Sequence, residues 1–147
     1  MSSREAGHAP TDAELRSIFG DARTIAVIGL SSRPDRPSYE VAAYLQDKGY
    51  RIVPVNPRET EVLGEPAYPS LLDVPEDVRV DVVDVFRRAE DTPPIAEQAV
   101  ARGARVLWLQ DGIVSDKARR IAEEGGLTVV MGVCIKDTAK RLHEEET

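Results

Sequence analysis

The sequence predicts a doubly wound α/β domain in which about five parallel strands form one sheet. Five short apolar segments, rich in β-branched residues, alternate with segments that have helical spacing. Each predicted helix is long enough to cross back over a sheet, and connections of this kind produce parallel sheets. The length of 147 residues suits a single domain that buries its own core.

The five predicted strands cover residues 24–28, 50–55, 80–86, 104–109 and 127–131. The first is aliphatic and uncharged, which is typical of a strand buried on both faces of a parallel sheet. Asp81 and Asp84 interrupt the third strand, and we predict structural roles for them near the strand ends. The segment 61–75 contains Gly64 and three prolines, which predicts a loop with one short helical turn at 70–73.

Capping residues indicate where the predicted helices begin. Thr11 and Glu14 form a predicted capping box before the first strand. Ser38 is placed to cap the second helix, and Ser115 is placed to cap the helix after the fourth strand. The prolines that follow Thr92 suit the first turn of the third helix. A charged helix over residues 136–146 is predicted to close the chain.

Composition narrows the class of protein. The net charge of -7 and the isoelectric point near 4.9 argue against broad nucleic-acid binding, which needs a basic face. The single cysteine has no internal partner, and no apolar run is long enough for a membrane span or a signal peptide. We therefore expect a cytoplasmic protein with a disordered tail over residues 1–10 and one domain over residues 11–147.

The loop after the first strand has the chemistry of a phosphate site. Gly29 permits a sharp turn and the close approach of a ligand, and hydroxyl and guanidinium groups follow it on Ser31, Ser32, Arg33 and Arg36. The positive end of the next helix would face the same loop. Because the dinucleotide fingerprint requires three glycines, an alternative has equal weight on this loop alone: Gly29 only makes the turn, and the arginines are solvated.

The ends of the second and third strands indicate the class of nucleotide. A cofactor bound through free ribose hydroxyls would favour an acidic residue after the second strand, where this chain has Asn56 and Arg58. Such residues suit adenine or a phosphorylated ribose, which points to coenzyme A or NADP and away from NAD. Phe86, at the end of the third strand, offers a flat apolar face for a base, with Arg87 beside it.

The same segments carry a resemblance to a known family. The chain resembles the small stand-alone CoA-binding domain proteins, which are Rossmann-like and are similar to the CoA-binding domain of the succinyl-CoA synthetase alpha subunit. The resemblance covers nearly all of residues 11–142, and its motifs are I-G-L-S-S-R-P-D-R-P-S-Y at 28–39, G-Y-R-I-V-P-V-N-P at 49–57, V-V-D-V-F-R at 82–87, W-L-Q-D-G at 108–112 and C-I-K at 134–136.

The resemblance implies a coenzyme A site at the ends of the first three strands. It nominates Gly29, Ser31, Ser32, Arg33, Arg36 and Tyr39, with Ser38 at the helix start, for the pyrophosphate side, and Asn56, Pro57, Arg58, Phe86 and Arg87 for the nucleotide. One departure concerns the last motif, where the family commonly has an acidic and a basic residue and this chain has Gly132 and Val133.

The sequence offers little for catalysis. His8 lies in the tail and His143 in the last helix, so neither is expected to act in a cleft. There is no metal-ligand cluster and no nucleophile-elbow motif. Cys134 is expected to be a small hydrophobe and not a nucleophile, and Trp108 to lie in the core or an interface.

We therefore interpret the chain as a nucleotide-binding module for coenzyme A or an acyl-CoA, with no reaction assigned. Two alternatives stay open. One is an NADP-dependent oxidoreductase, against which the missing glycines weigh. The other is a subunit that presents CoA within a larger enzyme. A protein partner or a homo-oligomer is compatible with this interpretation.

Overall fold

A computed structural model describes residues 9–146 of the chain. The predicted tail over residues 1–10 and its histidine, His8, therefore lie outside the described residues except for Ala9 and Pro10, which precede the first helix without regular structure.

Residues 9–146 form five α-helices and seven strands, which alternate except between the second and fifth strands. The helices are α1 (Asp12–Asp21), α2 (Pro37–Asp47), α3 (Thr92–Ala101), α4 (Asp116–Glu124) and α5 (Ile135–Glu146). The strands are β1 (Thr24–Ile28), β2 (Arg51–Val55), β3 (Glu61–Val62), β4 (Glu65–Pro66), β5 (Val82–Val85), β6 (Val106–Asp111) and β7 (Thr128–Gly132). The five predicted strands are confirmed within two residues at each end.

The main sheet is fully parallel and has the order β2-β1-β5-β6-β7. From β1 the chain moves to β2 on one side, then returns past β1 to β5 on the other. The loops that leave β1 and β5 therefore diverge, and such a reversal opens a crevice at the carboxyl ends of the two strands. The single doubly wound α/β domain predicted from the sequence is confirmed.

Two layers of helices cover the sheet. On one face, small side chains of α3 and α4 such as Ala96 and Ala122 share a core cluster with Ala26 and Ile28 of β1. On the other face, α1, α2 and α5 pack against the alternate residues of β1. All five residues of β1 are buried, as the uncharged run predicted.

The connection from β2 to β5 contains no α-helix and wraps around the edge of β2. Val62 of β3 belongs to the core beneath α2, whereas Leu71 belongs to the core beneath α3. Between them, Tyr68 N–H donates to Pro54 O (3.0 Å), and Tyr68 O accepts from Asn56 N–H (2.8 Å). This pairing covers the backbone of an otherwise open edge. The predicted helical turn is present as a 3-10 turn, Leu71–Asp73.

The structure confirms two of the predicted helix caps and corrects the third. The Thr11 capping box and the Ser115 cap are both formed. Ser38 is not a cap, because α2 begins at Pro37, whose fixed φ suits a first helical position. The buried Ser38 hydroxyl instead accepts from Ser31 N–H at 3.1 Å and ties the preceding loop to the helix.

The two aspartates of the third predicted strand have different environments. Asp81 lies just before β5 and accepts from Arg23 and Thr24 N–H at 2.9 and 3.0 Å, so its predicted structural role is confirmed. Asp84 lies inside β5 and is fully buried. Neither of its carboxyl oxygens has a hydrogen-bond partner among residues 9–146, and burial raises the pKa of this carboxyl well above its ordinary value.

Within the described part of the chain, no helix has both the length and the apolar character needed to cross a bilayer.

Candidate functional site

Three strand ends meet at the reversal of the sheet. Gly29 N–H, just after β1, donates to Val55 O of β2 at 2.7 Å, and Phe86 N–H, just after β5, donates to Ile28 O of β1 at 2.9 Å. The loops that follow β1, β2 and β5 therefore start from one rigid platform. The candidate ligand-binding residues predicted from the sequence lie in these three segments.

Gly29 allows the first and third loops to touch. Its φ of +88° favours glycine, and a Cβ atom at this position would lie 2.7 Å from the carbonyl oxygen of Phe86. That carbonyl belongs to the backbone at the end of β5 and cannot move aside easily. A side chain at position 29 would therefore push the two strand ends apart.

Three consecutive backbone donors follow in the first loop, and each has an internal acceptor. Ser31 N–H donates to the Ser38 hydroxyl, and Arg33 N–H donates to the Ser31 hydroxyl, both at 3.1 Å. Ser32 N–H donates to Oε2 of Glu59, from the loop after β2, at 2.9 Å. Hydroxyl groups satisfy two of these donors, and a carboxylate satisfies the third.

Arginines concentrate positive charge around these donors. Arg33 forms an exposed ion pair with Asp35 at 3.4 Å, and Arg87 pairs with Asp91 at 3.6 Å. Arg36 is exposed and has no ion-pair partner in the region 9–146. The Arg36 guanidinium and the amino terminus of α2 therefore place positive charge beside this loop, on a chain with a net charge of -7.

Asn56 links the first two loops through both atoms of its side-chain amide. Its Nδ2 donates to Leu30 O at 3.0 Å, and its Oδ1 accepts from Arg58 N–H at 2.9 Å. The second bond forms a tight Asx turn that leaves Arg58 exposed. Of the predicted nucleotide residues, Asn56 therefore already uses both polar atoms of its amide within the protein, whereas Pro57 and Arg58 are exposed.

A cleft of about 320 Å³ opens beside this turn, on the face covered by α3. Its walls combine apolar and polar side chains, contributed by Ile28, Val55, Pro57, Pro69, Ser70, Leu71, Arg87, Glu90, Asp91, Pro94, Ile95 and Gln98. Pro57 and Arg87 are the predicted site residues among them. Rigid apolar walls with a few polar groups are typical of small-molecule sites.

Phe86 and Tyr39 lie on the opposite face from this cleft. Both are partly buried and pack against the core beneath α2, together with Cys134. Phe86 therefore cannot form a wall of the cleft. The alternation of side chains along β5 decides this, because Phe86 shares its face with Asp84 and Val82.

The far end of the edge, after β6 and β7, is held together by side-chain bonds. The Trp108 indole donates to Val133 O at 2.9 Å, and Gln110 Oε1 accepts from Ile135 N–H at 3.1 Å. Trp108 is fully buried, as expected of a core residue. Val114 and Val133 remain 56% and 43% exposed, so the rim here is apolar.

Of the two histidines, the one within the described residues lies away from this edge. His143 lies on α5 and lines a separate cavity with Phe19 and Tyr50, which precedes the amino end of β2. Across residues 9–146, no cluster of three or more His, Cys, Asp or Glu side chains could hold a metal ion.

Sequence reasoning missed several residues of the site. Glu59 and Pro69 belong to the connection between β2 and β5, and Gln98 belongs to α3. The fold brings these segments to the strand ends. A lone charged or polar residue in such segments carries no periodic or motif signal. Only the contact across the fold identifies it.

Sequence comparisons show which known proteins this chain is similar to. A family model described as CoA binding domain matches residues 23–138. The uncharacterized protein YneT of Bacillus subtilis is 45% identical over 127 residues, which cover 86% of this chain and 93% of YneT. The ADP-forming acetate–CoA ligase II of Archaeoglobus fulgidus is 28% identical over 112 residues, which cover 75% of this chain but 16% of the ligase.

A solved structure of a hypothetical protein from Pyrococcus horikoshii has the same fold. It aligns with a TM-score of 0.88 at 36% identity, over 97% of this chain and 99% of the other. The segment matched by the family model contains the whole main sheet and all three loops of the site.

Proposed function

Because this chain belongs to the CoA-binding domain family, we propose that it binds coenzyme A or an acyl-CoA in the cytoplasm, at the edge where β1, β2 and β5 end. The observation that carries the proposal is the first loop: it starts at Gly29, ends at the amino terminus of α2 and carries unpaired positive charge at the reversal of the sheet. Ligands of doubly wound sheets bind at such a reversal.

The pyrophosphate of the ligand is assigned to the first loop. The Arg36 guanidinium can form charge-assisted hydrogen bonds with phosphate oxygens without first breaking an ion pair. Arg33 can do so after its ion pair with Asp35 breaks, and an ion pair this exposed contributes little free energy. The helix amino terminus adds a favourable field for the same negative charge.

The nucleotide is assigned to the second loop and the cleft beside it. Arg58 is exposed and has no ion-pair partner in the described part of the chain, which suits a ribose that carries a phosphate. Pro57, Pro69 and Pro94 offer flat apolar surfaces for the base. Asn56 holds the two loops in register and contributes mainly by positioning.

The pantetheine arm is assigned to the other direction along the edge, past Phe86 toward the ends of β6 and β7. The partly buried Phe86 and Cys134 and the exposed Val133 line this route with apolar groups. An apolar rim is compatible with an acyl chain on the ligand thiol. Such a chain would bury surface that is exposed in the free protein.

A second candidate function is the presentation of CoA to a partner protein. The observation that favours it is that the matched acetate–CoA ligase contains this segment as 16% of its length, alongside the rest of that enzyme. In this version the apolar rim formed by Val114 and Val133 contacts the partner. Recovery of a stable complex from the native cell would support this candidate over a lone module.

The experiment is thermal unfolding of the purified protein with CoA, acetyl-CoA, NADPH and NAD, together with mass spectrometry of any ligand released on denaturation. A ligand at 100 times its Kd adds about 2.7 kcal/mol of stability by mass action. CoA and acetyl-CoA should raise Tm, and NAD should not. A rise with NADPH alone would favour the oxidoreductase alternative, and no rise with CoA would contradict the proposed function.

A further inference from the structure

Glu59 occupies a backbone donor in the loop to which the proposed function assigns the pyrophosphate. Its Oε2 accepts from Ser32 N–H at 2.9 Å. Ser32 lies in the loop after β1, and Glu59 follows the turn after β2, so this bond joins two of the three loops of the site. An amide carries one hydrogen and cannot donate fully to a carboxylate and a phosphate at the same time.

The carboxylate is held there by the amide and not by a cation. Glu59 forms no ion pair within the described residues, although Arg36 and Arg58 belong to the same two loops and are also without one. The backbone turn, in which Glu59 N–H donates to Asn56 O at 3.2 Å, aims the half-buried side chain at Ser32. A negative group thus sits on the loop amide with its charge unneutralised by a direct ion pair.

Two other hydrogen bonds of the loop do not involve Glu59. Ser31 N–H is held by the Ser38 hydroxyl, and Arg33 N–H is held by the Ser31 hydroxyl, on either side of Ser32. We therefore expect both bonds to remain when the carboxylate is removed. If Glu59 stayed beside a bound phosphate, in contrast, two negative groups would compete for one donor at close range.

We propose that Glu59 is an internal competitor for the phosphate position: its carboxylate occupies the Ser32 amide in the free protein and must leave when a phosphate binds. It thereby lowers the affinity for phosphate-bearing ligands and favours those that supply enough other contacts to displace it. The proposal rests on the proposed function for the identity of the natural ligand, but the competition itself applies to any phosphate at this loop.

The test compares Glu59→Ala and Glu59→Gln with Glu61→Gln. Glu61 is an exposed glutamate two positions along the chain. Glu61→Gln therefore makes the same change in net charge as Glu59→Gln but leaves the acceptor of the Ser32 amide unchanged. Inorganic pyrophosphate is titrated and followed by the NMR shift of the Ser32 amide, and CoA is titrated by calorimetry. Amide spectra also show that each variant is folded.

The expected result is that Glu59→Ala binds pyrophosphate about five- to twentyfold more tightly than the wild type, the scale of one charge-assisted hydrogen bond that is partly exposed. Glu59→Gln should show a smaller gain, and Glu61→Gln less than about a twofold change.

Three outcomes overturn the proposal. Pyrophosphate affinity in Glu59→Ala equal to that of the wild type would show that Glu59 does not compete, and weaker affinity would show that Glu59 organises the loop for binding. Failure of pyrophosphate to bind Glu59→Ala at millimolar concentration would show that the amide is not a phosphate site. Tighter pyrophosphate binding without any CoA binding would support the competitor and contradict the proposed function, so the two conclusions fail separately.

Discussion

Replacing Asp84 by valine should stabilise the protein, and the gain should increase with pH. Asp84 is fully buried in the middle of β5, and its carboxyl group has no hydrogen-bond partner within residues 9–146. Its strand neighbours are Val27 of β1 and Trp108 of β6, so valine suits both the surroundings and the strand. An unsatisfied buried polar group costs about 1 to 3 kcal/mol even when it is neutral.

The pH dependence follows from the raised pKa of the carboxyl. Above about pH 4 the unfolded chain loses this proton, whereas the folded chain keeps it up to the higher folded pKa. The folded state then binds more protons than the unfolded state, so wild-type stability falls as pH rises through that window. The fall is about 1.4 kcal/mol per pH unit for one proton. Asp84→Val abolishes it.

Urea unfolding of wild type and Asp84→Val at pH 4, 5, 6 and 7 measures both effects. Asp81→Val is the matched control, because that carboxylate accepts two backbone hydrogen bonds and its loss should destabilise by at least about 1.5 kcal/mol. The reasoning is refuted if Asp84→Val is less stable than the wild type at pH 7, or if their difference in unfolding free energy stays constant from pH 4 to 7.

Three further predictions concern the site. Arg36→Ala should weaken CoA binding by about 1.5 to 3 kcal/mol in calorimetry, whereas Arg120→Ala, on the exposed side of α4, should leave it unchanged. An affinity of Arg36→Ala equal to that of the wild type would show that Arg36 does not bind the phosphates. Gly29→Ala should lower the unfolding free energy by more than Gly49→Ala, since both glycines have positive φ but only the first would place a Cβ against a backbone carbonyl; equal losses would contradict the close approach. Cys134→Ser should keep its CoA affinity in reductant, while the oxidised wild type forms a mixed disulfide of CoA-adduct mass; loss of binding in the folded variant would show that the thiol takes part.

The sequence alone determined the features that depend on neighbouring residues. An uncharged aliphatic run predicted the buried strand β1. The side chains of Thr11 and Ser115 each cap a helix by accepting from a backbone N–H three residues later. The alternation of strands and helices was sufficient for the parallel sheet. The order of the sheet then brings the ends of β1, β2 and β5 together, which is why candidate residues far apart in the chain lie in loops at one edge.

Only the tertiary structure decided which of those residues have hydrogen-bond partners and which side chains they contact. Ser38 had the chemistry of a cap, but Pro37 starts the helix and the hydroxyl serves Ser31 instead. Period-two alternation puts Phe86 and Asp84 on one face. Only the packed helices show that this face lies opposite the cleft and that the Asp84 carboxyl is buried there without a hydrogen-bond partner among the described residues. The bond between Ser32 and Glu59 spans 27 positions, and contacts at such distances leave no periodic trace in a sequence, because they arise only when separate loops are packed against each other.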